Sequence, residues 1–98
     1  MSKKPATKAE RLHMERVAAL GCIVDGCCAP ATIHHPRFAA GMAQRSPHML
    51  CIPLCKYHHQ DGGYGQAIHA GQQAFEQNHG TEADLLAKTI TKLQGYSA

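Results

Sequence analysis

The sequence predicts a small α+β domain: two short strands between flanking helices, with a bound metal standing in for a large core. Three observations predict it. The chain has 98 residues with two Phe, three Tyr and no Trp, and a domain of that size buries only about 60–65% of the surface its unfolded chain exposes, so it needs a staple. Five Cys and eight His are present, and an odd Cys count argues against a closed disulfide framework. Two short apolar runs, bounded by Gly, Pro and Ser, lie between segments of helical periodicity. Residues 1–7 read as a flexible basic tail and residues 8–98 as one domain.

The elements follow in order. Thr7 can cap a helix running to about Leu20, with Ala9, Leu12, Val17 and Leu20 on one face and Gly21 after its end. Asp25-Gly26 marks a tight turn between Cys22 and Cys27. Ala31–His35 reads as a strand that Pro36 limits. Gly41, Ser46 and Pro47 belong to a loop, and Met49–Leu54 reads as a second strand with Pro53 at an edge. A helical turn starts near Cys55 and breaks at Gly62-Gly63-Tyr64-Gly65. A helix from about Gln66 to Asn78 puts Ile68, Gly71 and Phe75 on one face and His69, Gln73 and Glu76 on another. Thr81 and Asp84 resemble a capping box opening a last helix, with Leu86, Ile90 and Leu93 on one face and Gly95 as its stop.

Composition narrows the function classes. No stretch approaches the roughly 18 apolar residues of a membrane span. The N-terminal residues contain no apolar signal region, so the expected compartment is reducing cytoplasm, where clustered Cys and His read as metal ligands. The net charge of +3 is uneven. Residues 1–20 carry Lys3, Lys4, Lys8, Arg11 and Arg16 against Glu10 and Glu15, and residues 21–60 carry Arg37, Arg45 and Lys56 against Asp25. Residues 61–98 are net acidic, with Lys88 and Lys92 against Asp61, Glu76, Glu82 and Asp84. The half rich in Cys and His is the basic half, which suits a polyanion.

Four thiolate or imidazole donors at tetrahedral geometry make a closed structural zinc site, each half supplied by a short-spaced pair. Cys22 and Cys27 flank the Asp-Gly turn, and Cys55 and His58 are spaced C-x₂-H. Cys28 competes with Cys27 for the second position. Cys51, in an apolar strand, reads as a small buried hydrophobe.

His34, His35, His48, His59 and His69 remain. Adjacent residues on a strand point to opposite sides, so one of the His34-His35 pair can hold a cation while the other stays metal-free to deprotonate water. His59 follows His58 and points away from the staple, and His69, one turn into the next helix, can converge with it.

Ile33-His34-His35-Pro36, then Cys51-Ile-Pro-Leu-Cys55-Lys-Tyr-His58-His59, resembles an HNH (ββα-metal) nuclease. Gly63-Tyr64-Gly65-Gln-Ala-Ile-His69-Ala-Gly71, with Phe75-Glu76, Gly80-Thr81-Glu82 and the Gly41-Met42-Ala43-Gln44-Arg45 loop, is similar to the phage recombination-enhancement, RecA-dependent nuclease family. The resemblance spans roughly residues 15–90. It implies a zinc-stapled ββα-metal domain in which a two-stranded hairpin and a helix grip one catalytic divalent ion (Mg²⁺, Mn²⁺ or Zn²⁺). By position, His34, His59 and His69 would hold that ion and His35 would be the general base. Arg37, Arg45 and Lys56 would contact phosphates, and products would carry a 5′-phosphate and a 3′-hydroxyl. It also implies a phage-encoded DNA endonuclease acting in a bacterial host's cytoplasm, with a RecA-type recombinase filament as partner. Common HNH motifs place an Asn in the second strand to orient the base. This sequence has none there, and His48 is the nearest polar substitute; Glu76 is a candidate to orient His69.

Two other readings stand beside the nuclease. One is a zinc-fastened DNA-binding module without cleavage activity, motivated by the missing Asn. The other is a protein-interaction module with a purely structural zinc, which the basic half disfavours. The sequence leaves oligomeric state open.

Overall fold

Thr7 opens the first helix with both halves of a capping box. Its hydroxyl accepts from the Glu10 N–H at 3.1 Å, and the Glu10 carboxylate accepts from the Thr7 N–H at 2.8 Å, so two N–H groups that the helix cannot satisfy are paired. The computed structural model describes residues 5–37 and 47–96; residues 1–4 of the expected tail and the Gly41–Arg45 loop lie outside them. The first helix, α1, is Lys8–Ala19, and Gly21 follows at φ 80°, the left-handed turn that releases a chain from a helix. Leu12 is exposed rather than on the buried face; Val17 is the residue that α1 buries.

Strand β1 (Ala31–His34) pairs antiparallel with β2 (Ile52–Cys55), Ala31 opposite Cys55 and His34 opposite Ile52. Both strands are shorter than the sequence suggests. Pro36 ends β1 before His35, and Pro47–Met49 forms a 3₁₀ turn instead of starting β2. Every residue of β2 is buried. Pro53 has no N–H to donate, but its carbonyl accepts from the Ile23 N–H at 2.9 Å, which ties the Cys22–Cys27 knuckle to the sheet.

After β2 the chain makes one turn of π-helix, Tyr57–Asp61, closed by the Gly62 N–H donating to the Tyr57 carbonyl at 2.7 Å. A 3₁₀ turn, Ile68–Ala70, precedes helix α2 (Gln72–His79). The helix expected from Gln66 therefore starts six residues later, because Gly71 separates the 3₁₀ turn from α2, and His69 sits on the turn rather than in the helix. Helix α3 (Glu82–Tyr96) has the expected Thr81/Asp84 box, with Asp84 N–H donating to Thr81 Oγ1 at 3.0 Å and Thr81 N–H to Asp84 Oδ2 at 3.3 Å. Gly95 does not stop it: a lone Gly costs about 1 kcal/mol in a helix. Its buried stripe is Glu82, Leu85 and Thr89, with Ile90 exposed. The Thr89 hydroxyl donates to the Leu85 carbonyl at 2.8 Å, so this buried polar group is satisfied.

The core joins Ile23, Val24, Ile52, Leu54, Ile68, Phe75 and Leu85 with Cys22 and Cys55. Helix α1 lies against both strands and α3 against β2. Among the described residues no helix is long and apolar enough to cross a membrane.

Candidate metal centres

Two donor clusters flank the β2–π-turn junction. The first gathers Cys22, Cys27, Cys55 and His58, whose ligand atoms all lie within 4.8 Å of one another. Local folding sets each pair. The Cys27 N–H donates to the Val24 carbonyl at 3.0 Å and Gly26 takes φ 80°, closing the Asp25-Gly26 turn that brings Cys27 back towards Cys22. Cys55 ends β2, and the His58 N–H donates to its Sγ at 3.5 Å.

Cys27 Sγ and Cys55 Sγ are 3.7 Å apart, Cys22 Sγ and His58 Nδ1 3.6 Å, and Cys55 Sγ and His58 Nδ1 3.2 Å. Two sulfurs about 2.3 Å from one tetrahedral ion lie about 3.7–3.8 Å apart, and a sulfur–nitrogen pair about 3.5 Å. The donor set fits a single metal ion. Burial pushes the Cys22 thiol up to about 12. Burial also acts upwards on Cys55, but hydrogen bonds from the His58 N–H and from the neighbouring thiols outweigh it and leave Cys55 below the usual thiol range. Burial, then the charge of His79, holds the His58 imidazole below its ordinary range. The downward shifts at Cys55 and His58 favour the deprotonated forms that ligation needs, and a cation would offset the burial cost of a thiolate at Cys22. Cys28 is exposed at φ 56° and is not brought into the cluster.

The second cluster is His34, His59 and His69, again within 4.8 Å. His34 Nδ1 to His59 Nε2 is 3.3 Å, and His59 Nε2 to His69 Nε2 is 3.0 Å. Nitrogens about 2.0–2.1 Å from one ion lie about 3.0 Å apart at right angles and about 3.4 Å apart at the tetrahedral angle, so this set also fits one ion. Hydrogen bonds on the far sides of two rings turn their lone pairs inward. Thr32 Oγ1 donates to the Leu54 carbonyl at 2.8 Å, so it accepts from His59 Nδ1–H at 2.9 Å. His34 Nε2–H donates to Glu82 Oε2 at 2.6 Å. Burial, then the charges of His34, His69 and His35, pulls the His59 imidazole down to about 4. Burial, followed by His34 and Arg37, lowers His69 too.

His35, just past β1, is exposed and is not one of the three convergent rings; its Nε2 lies 3.0 Å from His48 Nδ1 on the Pro47–Met49 turn. Burial of part of the ring, then His48 and His34, keeps His35 below the ordinary imidazole range. His34, His35, Arg37 and His69 line one cleft of about 290 Å³. Larger hollows of about 390 and 530 Å³ border the cysteine knuckle, but two of the three convergent rings, His34 and His69, line the smaller cleft. Lys56 is exposed and 3.7 Å from Asp61, and Arg45 lies outside the described residues.

Sequence reasoning missed Glu82 and Thr32. A carboxylate in the first turn of a helix ordinarily complements the helix dipole, and only its burial distinguishes Glu82. Glu76 does not support His69 as expected. Its Oε2 accepts from the Glu82 N–H at 3.2 Å and from Gln72 Nε2 at 3.3 Å, which places it beneath Glu82. A family model described as recombination enhancement, RecA-dependent nuclease, matches residues 6–94. No curated protein matches the chain.

Proposed function

This chain belongs to the recombination-enhancement, RecA-dependent nuclease family, and on that premise we propose that it is a metal-dependent DNA endonuclease of HNH type. The observation that carries the reading is the convergence of the nitrogens of His34, His59 and His69 at the edge of a cleft that His34, His35 and His69 line, with His35 bonded elsewhere. In this reading Cys22, Cys27, Cys55 and His58 hold a structural zinc, and β1, β2 and the following turn form the ββα-metal unit. His34, His59 and His69 hold a divalent ion, Mg²⁺, Mn²⁺ or Zn²⁺. Bound there, such an ion would supply Lewis-acid polarisation of a scissile phosphate and charge stabilisation for the leaving oxygen.

The chain's own groups do the rest. With its proton on Nε2, His35 would donate to His48 Nδ1, 3.0 Å away, and His48 would orient the ring in place of the absent Asn. Nδ1 of His35 is then the lone pair that takes a proton from water. Arg37, at the cleft, steadies the phosphate, with Arg45 and Lys56 as further contacts on the DNA backbone. Cleavage leaves a 5′-phosphate and a 3′-hydroxyl. The family's description supports a RecA-type filament as partner; a phage origin and a bacterial cytoplasm as the place of action are part of the same proposal.

The test is His35→Ala. Cleavage should fall by about 10²–10⁴-fold, with circular dichroism and metal content unchanged. The missing Asn favours one other reading, a DNA-binding module that does not cut. That reading is favoured if folded wild-type protein binds DNA in a salt-dependent way yet never cleaves it with Mg²⁺ or Mn²⁺, with or without a RecA filament.

A further inference from the structure

We propose that Glu82 and Thr32 are positioning residues that lock His34 and His59 in the one tautomer each needs to face a common ion. The inference rests on the reading that the three imidazoles hold a metal, and does not depend on nuclease activity.

A neutral imidazole has one N–H and one lone pair, and the partner of the N–H decides which nitrogen is free to ligate. At His34 the partner is Glu82. Its Oε2 is 2.6 Å from His34 Nε2, and an ionised carboxylate can only accept, so the proton sits on Nε2 and the lone pair on Nδ1. Nδ1 is the atom that faces His59. At His59 the logic runs through a hydroxyl. The one proton of Thr32 is used on the Leu54 carbonyl, so the oxygen presents only lone pairs to His59 Nδ1. The proton therefore sits on Nδ1, and Nε2 faces His34 and His69. Two unrelated groups, one from α3 and one from β1, produce the same result.

Glu82 is an expensive way to achieve this. Its side chain is about as buried as His34, at 4% and 5% exposure, and a buried carboxylate is tolerated only when hydrogen bonds replace its water. Oε1 receives the Arg37 N–H at 3.0 Å and Gln72 Nε2 at 3.1 Å. The carboxylate is thus held by the segment after β1 and by the first residue of α2 while it holds His34. An apolar residue at this position would fill the space without the desolvation cost, but would leave His34 free to rotate or change tautomer.

The experiment titrates Co²⁺ into protein holding one zinc per chain and follows its absorption spectrum. Wild type should take up one Co²⁺ at the three-histidine site. Glu82→Gln should weaken that uptake by about 10–100-fold with the zinc content unchanged. Thr32→Val should weaken it as well, and Thr32→Ser, which restores the acceptor, should recover wild-type binding. Nitrogen-15 spectra of the imidazoles give a metal-free readout: His34 should carry its proton on Nε2 in wild type and lose that preference in Glu82→Ala. Wild-type uptake by Glu82→Gln and Thr32→Val, or an unchanged His34 tautomer in Glu82→Ala, overturns the inference. No Co²⁺ uptake by wild type overturns the metal-site reading instead, and the tautomer measurement then still decides the positioning claim. If the Glu82 variants lose zinc and unfold, the Thr32 pair carries the test.

Discussion

His58 and His59 are neighbours in sequence and serve different clusters. His58 Nδ1 faces Cys22 and Cys55, while His59 Nε2 faces His34 and His69. His59→Ala is therefore expected to remove only the second ion, and His58→Ala the structural one. The adjacent cysteines divide in the same way. Cys27 is in the cluster, while Cys28 is exposed. Cys28→Ser should leave zinc content and melting temperature unchanged, whereas Cys27→Ser should lose the zinc. Alkylation of the folded protein gives an independent check. Cys28 should react first, and Cys51, whose thiol burial pushes up to about 11, should stay unmodified until the protein unfolds.

At the scale of elements, the π turn decides which way the two histidines point. Its closing bond runs from the Gly62 N–H to the Tyr57 carbonyl, and that tight closure leaves no room for a side chain: a Cβ on Gly62 would lie 2.6 Å from the Tyr57 oxygen. The obstacle is a backbone atom, which cannot swing aside as a side chain would. Gly62→Ala should therefore destabilise the protein by about 1–3 kcal/mol and loosen His59 relative to the Thr32–His34 side of the site. Chemical denaturation measures the first effect and weakened Co²⁺ uptake the second. Wild-type values for both would show that the turn is not the constraint. Gly26 illustrates a different requirement. Its φ of 80° closes the Val24–Cys27 turn, yet nothing lies near the position of a Cβ; its role is backbone conformation, not space.

For the molecule as a whole, the four-donor cluster and the core share one interior. Cys22 and Cys55 belong to the same buried cluster as Ile52, Leu54, Phe75 and Leu85. A structural zinc contributes on the order of 10 kcal/mol, comparable to the entire stability of a typical domain, about 5–15 kcal/mol. Chelation should proceed in two stages. Mild chelator should strip the three-histidine site, where His59 and His69 are partly open to solvent, without changing the far-ultraviolet circular dichroism. Stronger chelation that removes the four-donor ion should collapse the helical signal. A full helical signal after complete zinc removal would contradict the staple.

The sequence by itself determined the two clusters and most of the elements, because each rests on short-range chemistry. A C-x₄-C turn, a C-x₂-H step and an HH pair beside Pro36 carry their geometry within a few residues, as do the caps at Thr7 and Thr81. Tertiary structure decided what depends on distance. It chose Cys27 over Cys28, because only one of two adjacent side chains can turn inward at a tight turn. It shortened β2 by folding Pro47–Met49 into a 3₁₀ turn, because pairing partners and not local preference set where that ladder begins. It moved support for the histidines from the expected Glu76 to Glu82 and Thr32, 48 and 27 residues from the rings they hold. No local pattern announces such a contact: a carboxylate in the first turn of a helix looks the same whether it faces water or a buried imidazole.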